Sequence, residues 1–227
     1  FMMRNNFEYS KTLLHWCQAI NAPFIYASSA SVYGLGKNGF SEKRSAELPL
    51  NMYAYSKFQF DQYVRSLKGR LRHQVVGLRY FNVYGPREAH KGSMSSTAFH
   101  FNRQLHSEGV CRLFEGTDGY GNGEQLRDFV YVKDVVNVIA WMMEDVSRQS
   151  SVGSSTLTPH ASRLTSAIYN LGTGKARSFH DLVAATFKAL DLETKIEFID
   201  MPEDIRDKYQ YFTEADMEKL NSAGYNR

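Results

Sequence analysis

Along the chain, hydrophobic positions alternate between helical spacing and short apolar runs. Phe7, Leu13, Leu14, Cys17 and Ile20 recur at helical spacing and predict a helix that stops at Asn21 and Pro23. Pro23 to Ala27 is a short apolar run ending in Ser28-Ser29, which predicts a buried strand with a polar tip. After a loop through Pro49, the residues Phe58, Phe60, Tyr63, Val64 and Leu67 predict a helix over Tyr55–Leu67, with Gly69 just past its end. Gln74–Tyr80 is β-branched and apolar, a second strand, and Asn82–Arg87 leaves it in a Gly-Pro turn. Phe99, Phe101 and Leu105 belong to the next helix, Phe129–Val132 to a third strand, Asp134–Met143 to a helix and Ile168–Leu171 to a fourth strand. Ser178 with Asp181 three residues on predicts the capped start of a helix ending near Leu190. Lys195–Ile199 is a fifth strand, and Thr213 with Asp216 caps a last short helix.

Strands alternating with helices predict an α/β fold with a mostly parallel sheet, whose ligands bind beyond the carboxyl ends of the strands. Two segments read as surface insertions: the Gly-rich stretch Gly119–Leu126, and Ser147–Ala167 with 10 Ser/Thr in 21 residues. With 227 residues the chain has one large domain or two small ones. A net charge of +3 is too weak to argue for a nucleic-acid partner, and the longest apolar stretch, Val135–Met143, is too short to span a bilayer. Two cysteines cannot make a disulfide framework, so a reducing compartment is expected. The 14 Tyr and 15 Phe suit a flat or ringed ligand. The seven histidines show no zinc-ligand spacing with Cys or Glu support, so no metal site is expected.

The chemistry concentrates in Tyr53-Ala-Tyr-Ser-Lys57. A spacing of i, i+4 near a helix start puts both side chains on one face. Free tyrosine ionises near pH ~10, but a neighbouring ammonium favours the phenolate, which can then take a proton from an alcohol. A core tyrosine beside a solvated lysine would give the same spacing, and that description fits Tyr55 better than Tyr53. Ser28-Ser29 lies at a strand tip, Ser29 being 24 residues before Tyr53. A hydroxyl there can bond the reacting oxygen, although serine is also a common turn residue. Gly34-Leu-Gly36-Lys-Asn-Gly39 spells a dinucleotide fingerprint, yet no helix pattern follows it, so it is read as a turn. Between Arg65 and Lys91 stand seven Lys/Arg and one acid, Glu88. Lys68, Arg70 and Arg72 suit a solvated face, leaving Arg87 and Arg127 as the better phosphate candidates.

Taken in order, Ser28-Ser29, Tyr53-x-x-x-Lys57 and Arg79-Tyr-Phe-Asn-Val-Tyr-Gly-Pro-Arg87 resemble the extended short-chain dehydrogenase/reductase family. Arg87-Glu-Ala-His-Lys91-Gly-Ser-Met94, Phe114-Glu-Gly-Thr117, Arg127-Asp-Phe-Val-Tyr-Val and Lys208-Tyr-Gln-Tyr-Phe-Thr-Glu-Ala-Asp216 narrow the resemblance to its ADP-heptose 6-epimerase branch. This likeness runs from about Asn5 to Tyr225, broken by the two insertions.

The resemblance implies a doubly wound, Rossmann-type parallel sheet with a smaller α/β substrate-binding domain. The nucleotide-binding domain would comprise 1–85 and 128–173, without its first βαβ units. The substrate-binding domain would comprise 86–127 and 174–227, without a closing helix. Both ends are thus expected to be truncated, and the polypeptide by itself is expected to be inactive. Tyr53 would be the first acid–base group, supported by Ser29 and Lys57, and Lys91 the second. Asn5, Lys57 and Tyr53 would touch NADP, with NAD as the alternative, since the residue that selects between them would precede residue 1. Asn82, Val83, Ser93, His100, Phe114, Glu115, Gly116, Thr117, Arg127 and Tyr209 would surround an ADP-sugar. The implied reaction is inversion at C6 of ADP-glycero-manno-heptose through a transient ketone, for lipopolysaccharide inner-core precursors, in a cytoplasmic homo-oligomer. The rivals are another nucleotide-sugar epimerase such as UDP-glucose 4-epimerase, a 4,6-dehydratase, and a non-catalytic nucleotide-binding scaffold. Ala30-Ser31, where dehydratases usually carry Asp-Glu, counts against the dehydratase.

Overall fold

The computed structural model describes residues 1–151, 167–206 and 209–225. A π-helical turn over Met3–Glu8 runs into α1 (Tyr9–Ala19), followed by β1 (Phe24–Ser29), a 3-10 turn over Ala30–Tyr33, α2 (Met52–Ser66) and β2 (Val75–Tyr80). Then come β3 (Asn82–Tyr84), a 3-10 segment over Ala89–Met94, α3 (Thr97–Glu108), β4 (Cys111–Phe114), β5 (Leu126–Arg127), β6 (Phe129–Tyr131) and α4 (Val132–Ser151). The chain ends through β7 (Ala167–Leu171), β8 (Arg177–Ser178), α5 (Phe179–Ala189), β9 (Ile196–Ile199), α6 (Glu203–Arg206) and α7 (Glu218–Ser222). None of the helices among the described residues is long and apolar enough to cross a membrane.

The residues fall into two compact units, Phe1–Tyr80 with Asp134–Leu171 and Asp216–Arg227, and Phe81–Lys133 with Gly172–Ala215. These bounds differ from the expected 1–85/128–173 and 86–127/174–227. Asn82–Tyr84 leaves the first sheet to pair with β6, and α7 packs on β7, where Lys219 Nζ bonds the Ile168 carbonyl at 2.7 Å.

In the first unit, β1, β2 and β7 form a parallel sheet in that order, with Ser29 level with Tyr80 and Tyr80 level with Leu171. One strand, β2, is buried along five of its six residues, as a central strand of such a sheet should be. Leu14 of α1 and Phe60 and Val64 of α2 close over Tyr26 and Val75. Gly77 is required there: a Cβ would lie 2.4 Å from the Tyr26 hydroxyl. The expected helix over Tyr55–Leu67 begins three residues earlier, because the Asn51 side chain accepts the Ala54 N–H at 2.9 Å. Tyr53 and Lys57 therefore both stand in its first turns. The Gly34-x-Gly36-x-x-Gly39 segment is a series of turns with φ of 58°, 74° and 77° at its glycines.

The second unit has three two-stranded ladders: β3 with β6 and β4 with β9 in parallel, and β5 with β8 antiparallel. Its core joins Phe101 and Leu105 of α3 to Cys111 and Leu113 of β4 and to Phe179, Val183 and Phe187 of α5. The predicted capping box of α5 is present, with Ser178 and Asp181 exchanging bonds at 2.9 and 3.2 Å. Three expectations need correction. Asn82–Tyr84, predicted as part of a turn, is a strand. Gly119–Leu126, predicted as a surface insertion, is stitched into the unit: Gly123 bonds the Phe114 carbonyl and His180 N–H, and Leu126 bonds the Tyr211 carbonyl. Thr213 caps no helix, since α7 begins at Glu218 after Met217, which gives no side-chain cap, and the buried Thr213 hydroxyl accepts from Asn82 and from the Asp128 N–H. The expected insertion Ser147–Ala167 lies for the most part outside the described residues.

Asp128 is the central pin of this unit. Its carboxylate accepts from the Thr173 N–H and hydroxyl, both at 2.7 Å, and from the N–H groups of Gly174 at 2.9 Å and Ala215 at 3.0 Å. A Cβ on Gly172 would lie 2.6 Å from both Asp128 Oδ2 and the Ala215 Cβ. Gly172→Ala is therefore expected to destabilise the protein by roughly 1–3 kcal/mol through overpacking. An unchanged urea midpoint would contradict this.

Candidate functional site

In the first unit, the polar tip of β1 meets the start of α2. Tyr53 is 40% exposed. One turn on, Lys57 Nζ lies 5.9 Å from the Tyr53 ring centroid and donates to the Ala27 carbonyl at 2.9 Å. Burial pulls the Lys57 ammonium below the ordinary lysine range, and the Asp61 charge opposes that pull. Strand alternation separates the two serines. Ser28 is buried and donates to Asp61 at 3.0 Å, whereas Ser29, half-buried, accepts from the Ser31 N–H at 3.2 Å and hydroxyl at 2.9 Å. Tyr55 is exposed rather than a core residue. Asn5 is exposed, and it is its neighbour Asn6 that reaches α2, donating to Ser56 Oγ at 3.1 Å.

Under this pair lies an ion network that sequence spacing does not reveal. Arg79, with no exposed surface, pairs with Asp61 at 2.7 Å and with Glu47, which also accepts from Arg65 at 2.7 Å. Tyr26 donates to Asp61 at 2.9 Å. Burial drives the Asp61 carboxyl up despite Arg79, while Glu47, also raised by burial, is held below its usual range by Arg65 and Arg79. The one hint in the sequence is a lone charge inside an apolar strand.

In the second unit, a cavity of about 320 Å³ is lined by Asn82, Thr97, Phe101, Arg112, Leu113, Phe114, Gln125, Arg127, Phe179 and Tyr209. This size is within the range of small-molecule sites. Arg127 is only 7% exposed, its guanidinium 4.9 Å from the Tyr209 ring and 5.4 Å from the Phe179 ring. It donates to the Leu126 carbonyl at 2.9 Å, and among the described residues no carboxylate pairs with it. Burial accordingly lowers its hold on the proton. The Phe114 ring meets Tyr209 edge-on at 5.9 Å. Thr117 bonds the Tyr211 hydroxyl at 3.2 Å, and Gly116 N–H bonds Asn122 at 2.7 Å.

Of the expected site residues, Asn82, Phe114, Arg127 and Tyr209 line this cavity. Val83 and His100 are half-buried, and Ser93 and Glu115 are exposed, outside the lining. Thr97, Phe101, Arg112, Leu113, Gln125 and Phe179, not singled out as site residues in the sequence, complete the wall. Lys91 is in the 3-10 segment, its side chain 46% exposed and its Nζ 3.3 Å from Glu88. Glu88 itself is buried and also accepts from the Gly85 and Ser96 N–H groups and the Ser96 hydroxyl. Burial raises its carboxyl, but these bonds and Lys91 hold it below the usual range. Arg87 is exposed in left-handed backbone, φ 68°.

A profile of the NAD dependent epimerase/dehydratase family matches residues 1–156. The chain is 50% identical over 224 residues to the ADP-L-glycero-D-manno-heptose-6-epimerase of Alkalilimnicola ehrlichii, covering 99% of this chain and 64% of that protein. It is 47% identical over 240 residues to the protein of the same name from Thiobacillus denitrificans, covering 100% and 67%. Among solved structures, the Helicobacter pylori ADP-L-glycero-D-manno-heptose-6-epimerase superposes with a TM-score of 0.76 at 31% identity, over 99% of this chain and 61% of that one. The chain thus spans about two thirds of the length of these relatives.

Proposed function

The chain belongs to the NAD dependent epimerase/dehydratase family, and on that premise we propose that it carries the catalytic groups of an epimerase inverting C6 in ADP-glycero-manno-heptose. The observation that carries this proposal is the Tyr53–Lys57 pair, with Lys57 fixed between the Ala27 carbonyl and the Tyr53 ring. The substrate is proposed from the 50% identity to a protein of that name and from Arg127, which sits in an aromatic cavity with no carboxylate partner among the described residues.

Lys57 gives one N–H to Ala27, and an ammonium has three. The other two are available to ribose hydroxyls, so the residues present fit a nicotinamide dinucleotide, NADP in this proposal and NAD as the alternative. Such a group, when bound, accepts hydride from the sugar carbon and returns it. Tyr53, with the Lys57 ammonium one turn on, is the acid–base group for the proton of the C6 hydroxyl, and Ser29 donates a hydrogen bond to the same oxygen. Asn5 adds a cofactor contact in this proposal.

Inversion requires oxidation on one face and re-reduction on the other. One tyrosine cannot serve both orientations of the sugar side chain, so Lys91 supplies the second acid–base group. Arg127 holds the diphosphate, and Asn82, Val83, Ser93, His100, Phe114, Glu115, Gly116, Thr117 and Tyr209 hold the rest of the ADP-sugar. The enzyme is proposed to act as a cytoplasmic homo-oligomer supplying lipopolysaccharide inner-core precursors.

The deciding assay gives the protein, at its full natural length, ADP-D-glycero-manno-heptose and UDP-galactose in parallel. Inversion of the heptose alone supports the proposal. Turnover of UDP-galactose instead makes the protein a 4-epimerase, and turnover of neither rejects the heptose proposal.

Arg127 gives a separate test with opposite signs for binding and stability. Arg127→Met is expected to weaken ADP binding by about 1.5–3 kcal/mol, the worth of a hydrogen bond to a charged group, or roughly 10–100-fold. Thermal stability should hold or rise, because an uncompensated buried cation is removed. Calorimetric titration with ADP and a melting curve read the two effects. Unchanged affinity would exclude Arg127 from the diphosphate site.

A further inference from the structure

The helix α2 carries Tyr53, Lys57 and Asp61 at successive four-residue steps, which align on one face. The proposed chemistry uses the first two. Asp61, fully buried, is gripped by β1 and β2: Tyr26 and Ser28 donate to it at 2.9 and 3.0 Å, and Arg79 at 3.0 and 2.7 Å through Nε and Nη2. Ala27, between Tyr26 and Ser28, gives its carbonyl to Lys57. Three consecutive residues of β1 therefore fix two consecutive turns of α2, the outer two through Asp61 and the middle one through Lys57. Desolvating a carboxylate is costly, and apolar residues of similar volume often stabilise a fold as well or better. A charge kept at this depth, one turn from a functional lysine, invites an electrostatic explanation.

We propose that Asp61 is a positioning residue for the Tyr53–Lys57 pair: its fixed charge keeps Lys57 an ammonium, held between the Ala27 carbonyl and the Tyr53 ring. This rests on the acid–base role given to Tyr53. The direction agrees with the burial that pulls Lys57 down and the Asp61 charge that opposes it. The other ionisable groups around α2 are Tyr26 on β1, Arg79 on β2, Tyr33 on the 3-10 turn, and Glu47 in the connecting loop. Tyr55, Tyr63 and Arg65 are on α2 itself, and Arg4, Glu8, Tyr9, Lys11 and His15 on the segment leading through α1. Glu47 is taken up by Arg65 and Arg79, and Glu8 by Lys11 at 2.9 Å. Asp61, one helical turn from Lys57, is the acid whose charge opposes the pull of burial on the Lys57 ammonium.

The test follows the Lys57 side-chain NMR signal, assigned with Lys57→Arg, through a pH titration in the full-length protein. It adds the pH profile of kcat/KM. Asp61→Asn is expected to move the Lys57 titration to lower pH and to bring the alkaline fall of kcat/KM down with it, with about tenfold loss on that side. Ser28→Ala, which removes a bond to Asp61 but not its charge, should lower stability and leave both curves in place. If Asp61→Asn does not fold, Asp61→Asn/Arg79→Gln, which leaves no unpaired guanidinium, should show the same shift. A Lys57 titration unmoved when the Asp61 charge is gone overturns the inference. The NMR shift with no turnover of any nucleotide sugar would instead uphold the electrostatics and reject the enzymatic reading.

Discussion

Tyr53→Phe is expected to reduce epimerisation by roughly 10²–10⁴-fold, the usual contribution of a positioned acid–base group. The phenol ring keeps its place at the start of α2, and Lys57 still bonds the Ala27 carbonyl, so the fold and cofactor affinity should survive. Only the proton acceptor is lost. Lys91→Met should also stop inversion, but for a different reason. With Tyr53 intact, C6 should still be oxidised and re-reduced in one orientation, while the partner needed for the other is lacking. Transfer of deuterium from C6-labelled substrate to the bound cofactor, followed beside the epimerisation assay, separates the two variants. Full epimerisation by both variants would reject the two-base mechanism.

Arg79→Met is expected to destabilise the protein by about 3–5 kcal/mol, because breaking a buried ion network strands its remaining charges. Glu47 and Asp61 would both lose Arg79, with Arg65 left to Glu47 alone. Against a total stability of about 5–15 kcal/mol, the loss would lower the urea midpoint sharply. It should also worsen as pH rises: the Asp61 carboxyl, already raised by burial, ionises at greater cost once its cation has gone. A change under about 1 kcal/mol would show the network to be incidental to stability.

The long elements were legible because their periodicity is local. The helices around Leu14, Phe60, Leu105 and Val183 and the strands at Phe24, Val75, Phe129, Ile168 and Ile196 all appear where the pattern places them. The strands Asn82–Tyr84, Cys111–Phe114, Leu126–Arg127 and Arg177–Ser178 were missed for a physical reason. Two to four residues cannot display alternation, and pairing with a distant segment makes them strands. The start of α2 was misplaced although Asn51 is a good cap, since Met52, Tyr53 and Tyr55 are exposed apolar residues that blur the face.

Tyr53 and Lys57 could be found because their relation is one helical turn. Asp61, Arg79 and Glu47 could not, since their meeting depends on how a strand, a helix and a loop pack. Arg127 was visible as a phosphate candidate, whereas Phe179, which helps wall its cavity, comes from a helix some fifty residues later.

Arg127 also bears on how the second unit is kept folded in use. A buried cation walled by two aromatic rings, with no carboxylate partner among the described residues, is expected to cost that unit stability. A diphosphate arriving beside it would supply the missing charge, so that ligand affinity and folding free energy become a single linked quantity. The melting temperature would then report occupancy, and a nucleoside, which has no phosphate, would move it far less than the diphosphate.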